Sequence, residues 1–236
     1  MRIWDLSPGY LNRGSLLGEH RELHGLHSIL VNNKKGYSAH PETLRWIGAL
    51  GGLVERHNQL VAEMALRGYV DRTPLVAVEE PVWPAEFVDP PGDQITILRT
   101  KYTDREPGRI PLPSDAQQMW AQHKYSVMAR SPQEAGRIGR NLAALGAGAS
   151  LTDLARDLVV LLRERPGEGR LANAIEHMWG HVRRYATPEE VLRAGAGAGE
   201  MLALTRHLVL RQQERYLLES TALSDLAIFM PPDRTP

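Results

Sequence analysis

Three histidines near the start of the chain have a spacing that suits a metal ion. His20, His24 and His27 fall on adjoining turns of one predicted helix, and imidazoles at positions i and i+4 can bind zinc. A zinc hydrolase of the zincin type needs a glutamate directly after the first histidine, where this chain has Arg21. Glu22 is on the same helix, but the pattern offers no evident third ligand, so we expect no metal here.

A second histidine pair, His177 and His181, lies in the C-terminal half of the chain. The residues between them, Met178-Trp179-Gly180, supply no base, and this pair also lacks an evident third ligand. We expect no metal at this pair either. The chain has no cysteine, which excludes disulfides, thiolate zinc sites, iron–sulfur clusters and a cysteine nucleophile.

The overall composition describes a neutral protein with enough apolar residues for a hydrophobic core. The 28 basic and 28 acidic residues balance, so any affinity for nucleic acid must come from a local basic patch. Hydrophobic residues make up 42% of the chain. Because the sequence has no apolar run long enough to span a membrane and no secretory signal at its start, we expect a cytoplasmic protein without membrane contact.

The elements that would position these residues are helices. Leucines recur at helical spacing over residues 15–33, where Ser15 is the predicted N-cap. His40-Pro41 is typical of a helix start, because proline is favoured in the first turn. A third helix is predicted over 53–67, ending at Gly68.

Residues 71–113 differ from the rest, because eight prolines exclude a continuous helix across them. Short extended pieces such as 94–98 fit this stretch. We interpret it as a connector, either ordered over the surface of both halves or a flexible linker.

Helical patterns return from residue 114. Ser131-Pro132 and Thr187-Pro188 are each followed by a capping-box glutamate. Five or six helices are predicted in this C-terminal half. The fold class is therefore mainly α, with an N-terminal helical unit (1–70), a proline-rich connector (71–113) and a C-terminal helical bundle (114–236).

The first third of the chain resembles the pyrimidine-dimer DNA glycosylase family, which includes phage endonuclease V. The order and spacing of four short segments support the resemblance. These segments are Met1-Arg2-Ile3-Trp4, Glu19-His20-Arg21-Glu22-Leu23, Lys35-Gly36-Tyr37 with His40-Pro41, and Arg67-Gly68-Tyr69. The resemblance implies a compact helical fold, a substrate of damaged double-stranded DNA and no cofactor.

The family's chemistry needs the free α-amine of the N-terminal residue and a glutamate on the first long helix. The resemblance places Met1 and Glu22 at these two positions without a gap. We expect Met1 to be retained, because a bulky residue, Arg2, follows it. An α-amine has a pKa of roughly 7.7–8.0, so a useful fraction is neutral and nucleophilic at physiological pH.

Other basic residues of the first third are candidate DNA contacts. The resemblance implies that Arg2 and Arg21 hold phosphates beside the lesion. Lys34 and Lys35 are a second candidate, although such a two-residue charge run is more often a solvated loop than a DNA contact. His40 either caps the following helix or contacts phosphate.

The C-terminal half resembles a YbgA-type domain of unknown function, which supplies no catalytic residues. The segments that carry this resemblance are Trp120, His123-Lys124-Tyr125, Met128-Ala129-Arg130, Asn173, His177 and Gly180. Trp120, Tyr125 and Trp179 belong either to a helix-bundle core or to a surface that stacks unpaired bases.

Three function classes follow from these observations. The leading hypothesis is a DNA glycosylase with AP lyase activity. The alternatives are a non-catalytic nucleic-acid-binding protein and an RNA-directed enzyme linked to thiolated-base metabolism.

Overall fold

The computed structural model describes residues 1–76 and 79–230, which form helices and connecting loops without a β-strand. The predicted mainly α fold class is confirmed. Over the described residues the helices are α1 (Arg13–Val31), α2 (Pro41–Arg45), α3 (Leu50–Leu66), α4 (Pro91–Lys101), α5 (Ala116–Arg130), α6 (Pro132–Leu145), α7 (Leu151–Leu161), α8 (Glu168–Val182), α9 (Pro188–Ala194), α10 (Ala198–Gln212), α11 (Arg215–Leu218) and α12 (Ala222–Asp225). Within the described ranges, no helix is both long and apolar enough to cross a bilayer.

The chain divides into two compact units, Met1–Gly108 and Arg109–Pro236. The boundary falls inside the stretch predicted as a connector, and residues 79–108 are part of the first unit. Residues 77 and 78 of the predicted connector and 231–236 of the predicted C-terminal domain lie outside the described residues.

Helices α1 and α3 pack against each other in the first unit. The predicted leucine stripe of α1 is confirmed by Leu16, Leu23 and Leu26, which are all fully buried. The predicted cap was wrong, because Asn12 caps α1 by accepting a hydrogen bond from Ser15 N at 2.8 Å. An asparagine is as good an N-cap as a serine, so the pattern alone favoured neither.

Helix α4 corrects the expectation of an extended piece at 94–98. Pro90 and Pro91 stand at its N-cap and first position, where a proline costs no helical hydrogen bond. Prolines therefore begin this helix instead of excluding it. Ile95 and Leu98 on α4 are buried in the unit.

Two adjacent glycines at the start of α3 allow another part of the chain to lie directly on the helix. A Cβ atom at Gly52 would lie 2.1 Å from the carbonyl oxygen of Val82, and one at Gly51 would lie 2.4 Å from that of Glu80. Any other residue at either position would collide with backbone. The glycine pair thus fixes the path of residues 80–82.

The second unit is built around α5, which packs against α6, α7 and α8, while α10 packs against α8. Both predicted caps are confirmed, since Ser131 and Thr187 accept hydrogen bonds from Glu134 N and Glu190 N. The predicted capping box forms at Thr187 but not at Ser131, where the Glu134 side chain pairs with Arg137. Six longer helices agree with the prediction, and α11 and α12 are single turns. Helix α10 ends at Gln212, because Gln213 has a φ of 52°, in the left-handed region.

Of the three aromatic residues considered in the C-terminal half, Tyr125 and Trp179 are buried and Trp120 is half-buried. Tyr125 and Trp179 are 5% and 7% exposed, which supports the core interpretation over a base-stacking surface. The hydroxyl of Tyr125 lies 2.7 Å from Nε2 of His181, and His177 is exposed. In the second histidine pair, His181 therefore makes a hydrogen bond, whereas His177 is exposed to solvent.

Candidate active site

The N-terminus is attached to helix α1 through two glutamates. The backbone N–H of Arg2 donates to Glu22 Oε2 at 2.5 Å, and that of Trp4 donates to Glu19 Oε1 at 3.2 Å. The α-amine of Met1 is three bonds from the Arg2 nitrogen, so standard backbone dimensions keep it within about 6 Å of Glu22 Oε2. An amine and a carboxylate are thus held near each other on one face of the helix.

Glu19 is the buried member of this pair of glutamates. It accepts hydrogen bonds from Arg56 Nε at 2.8 Å and Arg56 Nη2 at 3.1 Å, and both side chains are at most 2% exposed. Burial raises the pKa of Glu19 to about 7, against the lowering effect of Arg56. Glu22 is exposed, so the two carboxylates occupy different environments.

Sequence reasoning missed Glu19 and its partner Arg56. The spacing of Glu19 and Glu22, three residues apart on a helix, places both on one face and was available as a signal. The partner was not available, because Arg56 is 37 residues away and belongs to another helix.

A cleft of about 410 Å³ opens beside these glutamates. The side chain of Arg2 lines this cleft, and its guanidinium lies 2.6 Å from Asp89 and 4.8 Å from the ring centre of Trp4. The ammonium of Lys101 lies 6.0 Å from the same ring. The cleft therefore combines carboxylates, cations and an aromatic ring. Its lining comprises Arg2, Trp4, Gly14, Ser15, Gly18, Glu19, Glu22, Ile97 and Lys101.

Side chains from three helices hold the rest of the N-terminal segment, which begins without regular secondary structure. Asp5 N donates to Gln94 Oε1 at 2.9 Å, and Arg56 Nη1 donates to the carbonyl of Leu6 at 2.9 Å. Because one 3₁₀ turn, Pro8–Tyr10, is the regular structure of this segment, side chains supply partners for much of its remaining backbone. Further contacts of this kind join Arg67 to the carbonyls of Pro8, Gly9 and Leu11, and Tyr102 to the amide of Asn12.

The other candidate DNA contacts lie elsewhere on the unit. Lys34 and Lys35 are exposed and line a second cleft of about 490 Å³ together with Trp46. Arg21 is exposed on α1 and lines neither cleft. The structure thus brings Arg2 and Glu22 together but places the two lysines at a separate opening.

His40 acts as a helix cap. Its Nδ1 accepts a hydrogen bond from Glu42 N at 3.1 Å, which starts α2 as the His40-Pro41 pattern predicts. The capping alternative is therefore the one that the geometry supports.

Two of the three N-terminal histidines meet further candidate metal ligands. Over the described residues, one group of histidines and carboxylates is close enough to surround an ion, namely His20, His24, His57 and Asp71. Burial lowers the pKa of His57 to about 4, against the raising effect of Asp71. His27 is outside the group.

Comparisons with known proteins agree with both resemblances. Residues 1–76 match the family described as pyrimidine dimer DNA glycosylase. Residues 124–225 match a family of proteins of unknown function (DUF1722). No curated protein and no solved structure matches the chain.

Proposed function

We propose that this chain, whose residues 1–76 match the pyrimidine dimer DNA glycosylase family, is a DNA-repair glycosylase with AP lyase activity. The observation that carries the proposal is the 2.5 Å hydrogen bond from Arg2 N to Glu22 Oε2. This bond ties the first peptide unit to the carboxylate, and so keeps the Met1 amine beside it. An amine nucleophile and a charged acid are the two groups that the reaction needs.

The proposed reaction starts at C1′ of the damaged nucleotide. The neutral α-amine of Met1 forms a bond to C1′ as the bond from C1′ to the base breaks, and the base leaves with the electron pair. Loss of a proton from nitrogen and opening of the sugar ring then give an imine. Removal of a 2′ proton expels the 3′ phosphate by β-elimination and cuts the strand.

Glu22 contributes at two points of this sequence. Its negative charge stabilises the positive charge that develops on the sugar while the base departs. It then assists transfer of the 2′ proton. Because Glu22 is exposed at the cleft, DNA can reach it without an opening of the helices.

The cations of the cleft suit the DNA backbone. Arg2 and Lys101 lie beside Trp4, and we assign them to phosphates flanking the lesion. Arg2 must exchange its bond to Asp89 for a phosphate when DNA binds. The chain has no net charge, so this local group and the loop with Lys34 and Lys35 supply the electrostatic attraction. Access to C1′ requires a flipped nucleotide.

Borohydride trapping tests the proposal. The protein is incubated with duplex DNA that carries a thymine dimer or an abasic site, and borohydride then reduces any imine to a stable adduct. We expect the adduct on the N-terminal peptide, and terminal sequencing of the purified protein checks that this peptide starts at Met1. Blocking the α-amine should eliminate the adduct.

Two variants separate the role of Glu22 from general effects of charge. Glu22→Gln should still allow some trapping at abasic sites but lose most base excision, since the charge is removed while the shape is kept. Glu176→Gln, at an exposed position on α8, is the matched control and should behave as wild type. An adduct on a lysine would refute the Met1 assignment. Binding without any adduct on either substrate would refute the enzyme and favour the binding-protein alternative.

A further inference from the structure

Four candidate metal ligands from three segments meet on one side of helix α1. His20 and His24 come from α1, His57 from α3, and Asp71 from the chain that follows α3. One nitrogen or oxygen atom from each residue lies within 4.8 Å of all the others. The ring centres of the three histidines are 4.7 to 5.1 Å apart. Local sequence brings only the first two together, and the tertiary fold supplies the other two.

The donor atoms of the cluster converge on the carboxylate. Nε2 of His20 lies 3.3 Å from Asp71 Oδ1, and Nε2 of His57 lies 3.6 Å from Asp71 Oδ2. Thr73 orients this carboxylate, because its backbone N–H donates to Asp71 Oδ1 at 2.9 Å. The hydroxyl of Thr73 also lies 3.1 Å from Nε2 of His24. A polar neighbour that orients a ligand is a regular feature of metal sites.

The most buried member of the cluster lacks a good hydrogen-bond partner. His57 is 1% exposed and has Asn58 and Asp71 as polar neighbours, but within the described residues neither of its ring nitrogens makes a hydrogen bond of normal length and angle to them. Nε2 of His20 likewise makes no hydrogen bond of normal geometry within the described residues, and its ionic contact is with Asp71. Buried polar atoms are nearly always paired, so these nitrogens point to a partner that the protein chain does not provide.

We propose that His20, His24, His57 and Asp71 bind one divalent zinc ion. Three imidazole nitrogens and one carboxylate oxygen form a complete tetrahedral ligand set for zinc. With zinc–ligand bonds of 2.0–2.2 Å, neighbouring ligand atoms of a tetrahedron are about 3.3 Å apart. The distance from His20 Nε2 to Asp71 Oδ1, 3.3 Å, already has that value, while His57 Nε2 lies 3.6 Å from the other oxygen of the same carboxylate, Oδ2. Small side-chain rotations bring the remaining atoms into range.

The position of the cluster on α1 indicates a structural ion and not a catalytic one. At 3.6 residues per turn, His20 and His24 are each about 160° around the helix from Glu22. Neither histidine lines the cleft that contains Glu22. Four protein ligands also leave no open position for water or substrate. The ion would join α1, α3 and the chain after α3, and the inference stands independently of the proposed glycosylase chemistry.

Metal content and cobalt spectroscopy of the full chain test the site. We expect about one zinc per chain in the purified protein, and uptake of one Co²⁺ after treatment with a chelator. Tetrahedral Co²⁺ absorbs intensely in the visible range, whereas hexahydrated Co²⁺ absorbs weakly. Because zinc binds only the folded site, saturating zinc should raise the Tm of the first unit by about 5 °C.

Variants on the same helix locate the ion. His24→Gln and Asp71→Asn should each weaken Co²⁺ binding by about tenfold or more, since each removes one ligand. His27→Gln is the matched control, because His27 is on the same helix outside the cluster, and its affinity should equal that of wild type. Equal affinity in wild type and Asp71→Asn would overturn the proposal, as would a wild-type chain that takes up no stoichiometric metal.

A measurement on the wild-type chain covers the case in which a variant fails to fold. Long-range ¹H–¹⁵N spectra record the ring nitrogens of every histidine. Adding zinc should shift the signals of His20, His24 and His57 and leave those of His27 and His40 in place. Shifts at other histidines, or none, would refute the site, while the borohydride experiment separately decides the glycosylase chemistry.

Discussion

The two units of this protein bury very different groups. In the first unit Glu19, Glu42, Arg56 and Glu63 are all at most 2% exposed. Among the described residues of the second unit, Arg130 is the Asp, Glu, Lys or Arg side chain with comparable burial, at 3%, and His123 is buried to the same extent. The other buried side chains described in the second unit are apolar or are neutral polar groups such as Gln122, Ser126 and Thr205.

The difference follows from what the backbone needs in each unit. Helices satisfy most of their own N–H and C=O groups, so the second unit packs its helices with few buried charges, of which Arg130 paired with Asp225 is one. The first unit contains an N-terminal segment whose regular structure is one 3₁₀ turn, and buried Arg56 and Glu19 satisfy part of its backbone. Buried charge is therefore concentrated where an irregular segment, and with it the Met1 amine, must be held in place.

Removal of Arg56 should give the largest effect and would sharpen this comparison. Arg56→Met leaves Glu19 buried without its partner, and we expect a loss of about 3–5 kcal/mol in the free energy of unfolding. Urea denaturation measures it. The double variant Arg56→Met with Glu19→Leu should recover most of the loss, because no buried charge remains. Arg72→Met, at an exposed position, should change stability by less than about 0.5 kcal/mol. A small effect of Arg56→Met would show that buried charge is not what holds the segment.

Substitutions in each unit should separate chemistry from packing. Glu22→Gln should slow base excision by about 10²–10³-fold, equal to roughly 2.7–4 kcal/mol of transition-state stabilisation, with little change in unfolding. Tyr125→Phe removes a hydroxyl bonded to His181 in the second unit and should leave excision within about twofold. Single-turnover assays on dimer-containing DNA give both rates. If Tyr125→Phe proved the slower enzyme, the assignment of the chemistry to the first unit would be wrong.

Acid should weaken the second unit through His123. Burial lowers the pKa of this histidine to about 4, while its Nδ1 lies 2.9 Å from the carbonyl of Met119. The folded pKa is below the unfolded value near 6.5, so the stabilisation is present above pH 6.5 and is lost as the pH falls toward 4. The total loss is about 3 kcal/mol. Urea unfolding between pH 7 and pH 4 should show this slope, and His123→Gln should flatten it. An unchanged slope in the variant would assign the acid sensitivity to other groups.

The capping box of α9 should give the smallest effect. Thr187 accepts a hydrogen bond from Glu190 N, and the Glu190 side chain accepts one from Thr187 N at 2.7 Å. Thr187→Ala should cost about 1 kcal/mol in unfolding free energy, and Thr187→Ser should cost little. Thermal denaturation compares the two. Equal losses in both variants would mean that the hydroxyl is not the stabilising group. Helix caps would then contribute less to the stability of the second unit than we infer.

Local patterns predicted most of the helices but few of the contacts between them. The apolar stripe of α1 and the caps at His40, Ser131 and Thr187 depend on residues within one turn of each other, so the sequence displays them directly. Helix α4 was missed because proline has opposite effects inside a helix and in its first turn.

The candidate site was accessible to sequence reasoning only in part. The pairing of the first residues with Glu22 was predicted from family resemblance, and the structure places Arg2 and Glu22 in contact. Glu19 with Arg56, and His20 with His57, are pairs 37 residues apart that form only when α1 and α3 pack. No periodic pattern of residues within one helix predicts a contact of this kind between two helices.

The hydrogen bonds of the N-terminal segment also set an order of events during synthesis. Residues 2–12 leave the ribosome before their side-chain partners, which extend along the chain to Gln94 and Tyr102. The segment therefore stays unanchored while about a hundred further residues are translated, at roughly 5–20 residues per second. The Met1 amine reaches its place beside Glu22 only after the whole first unit has been made. A nascent or truncated chain would thus carry the proposed nucleophile without a formed site to use it.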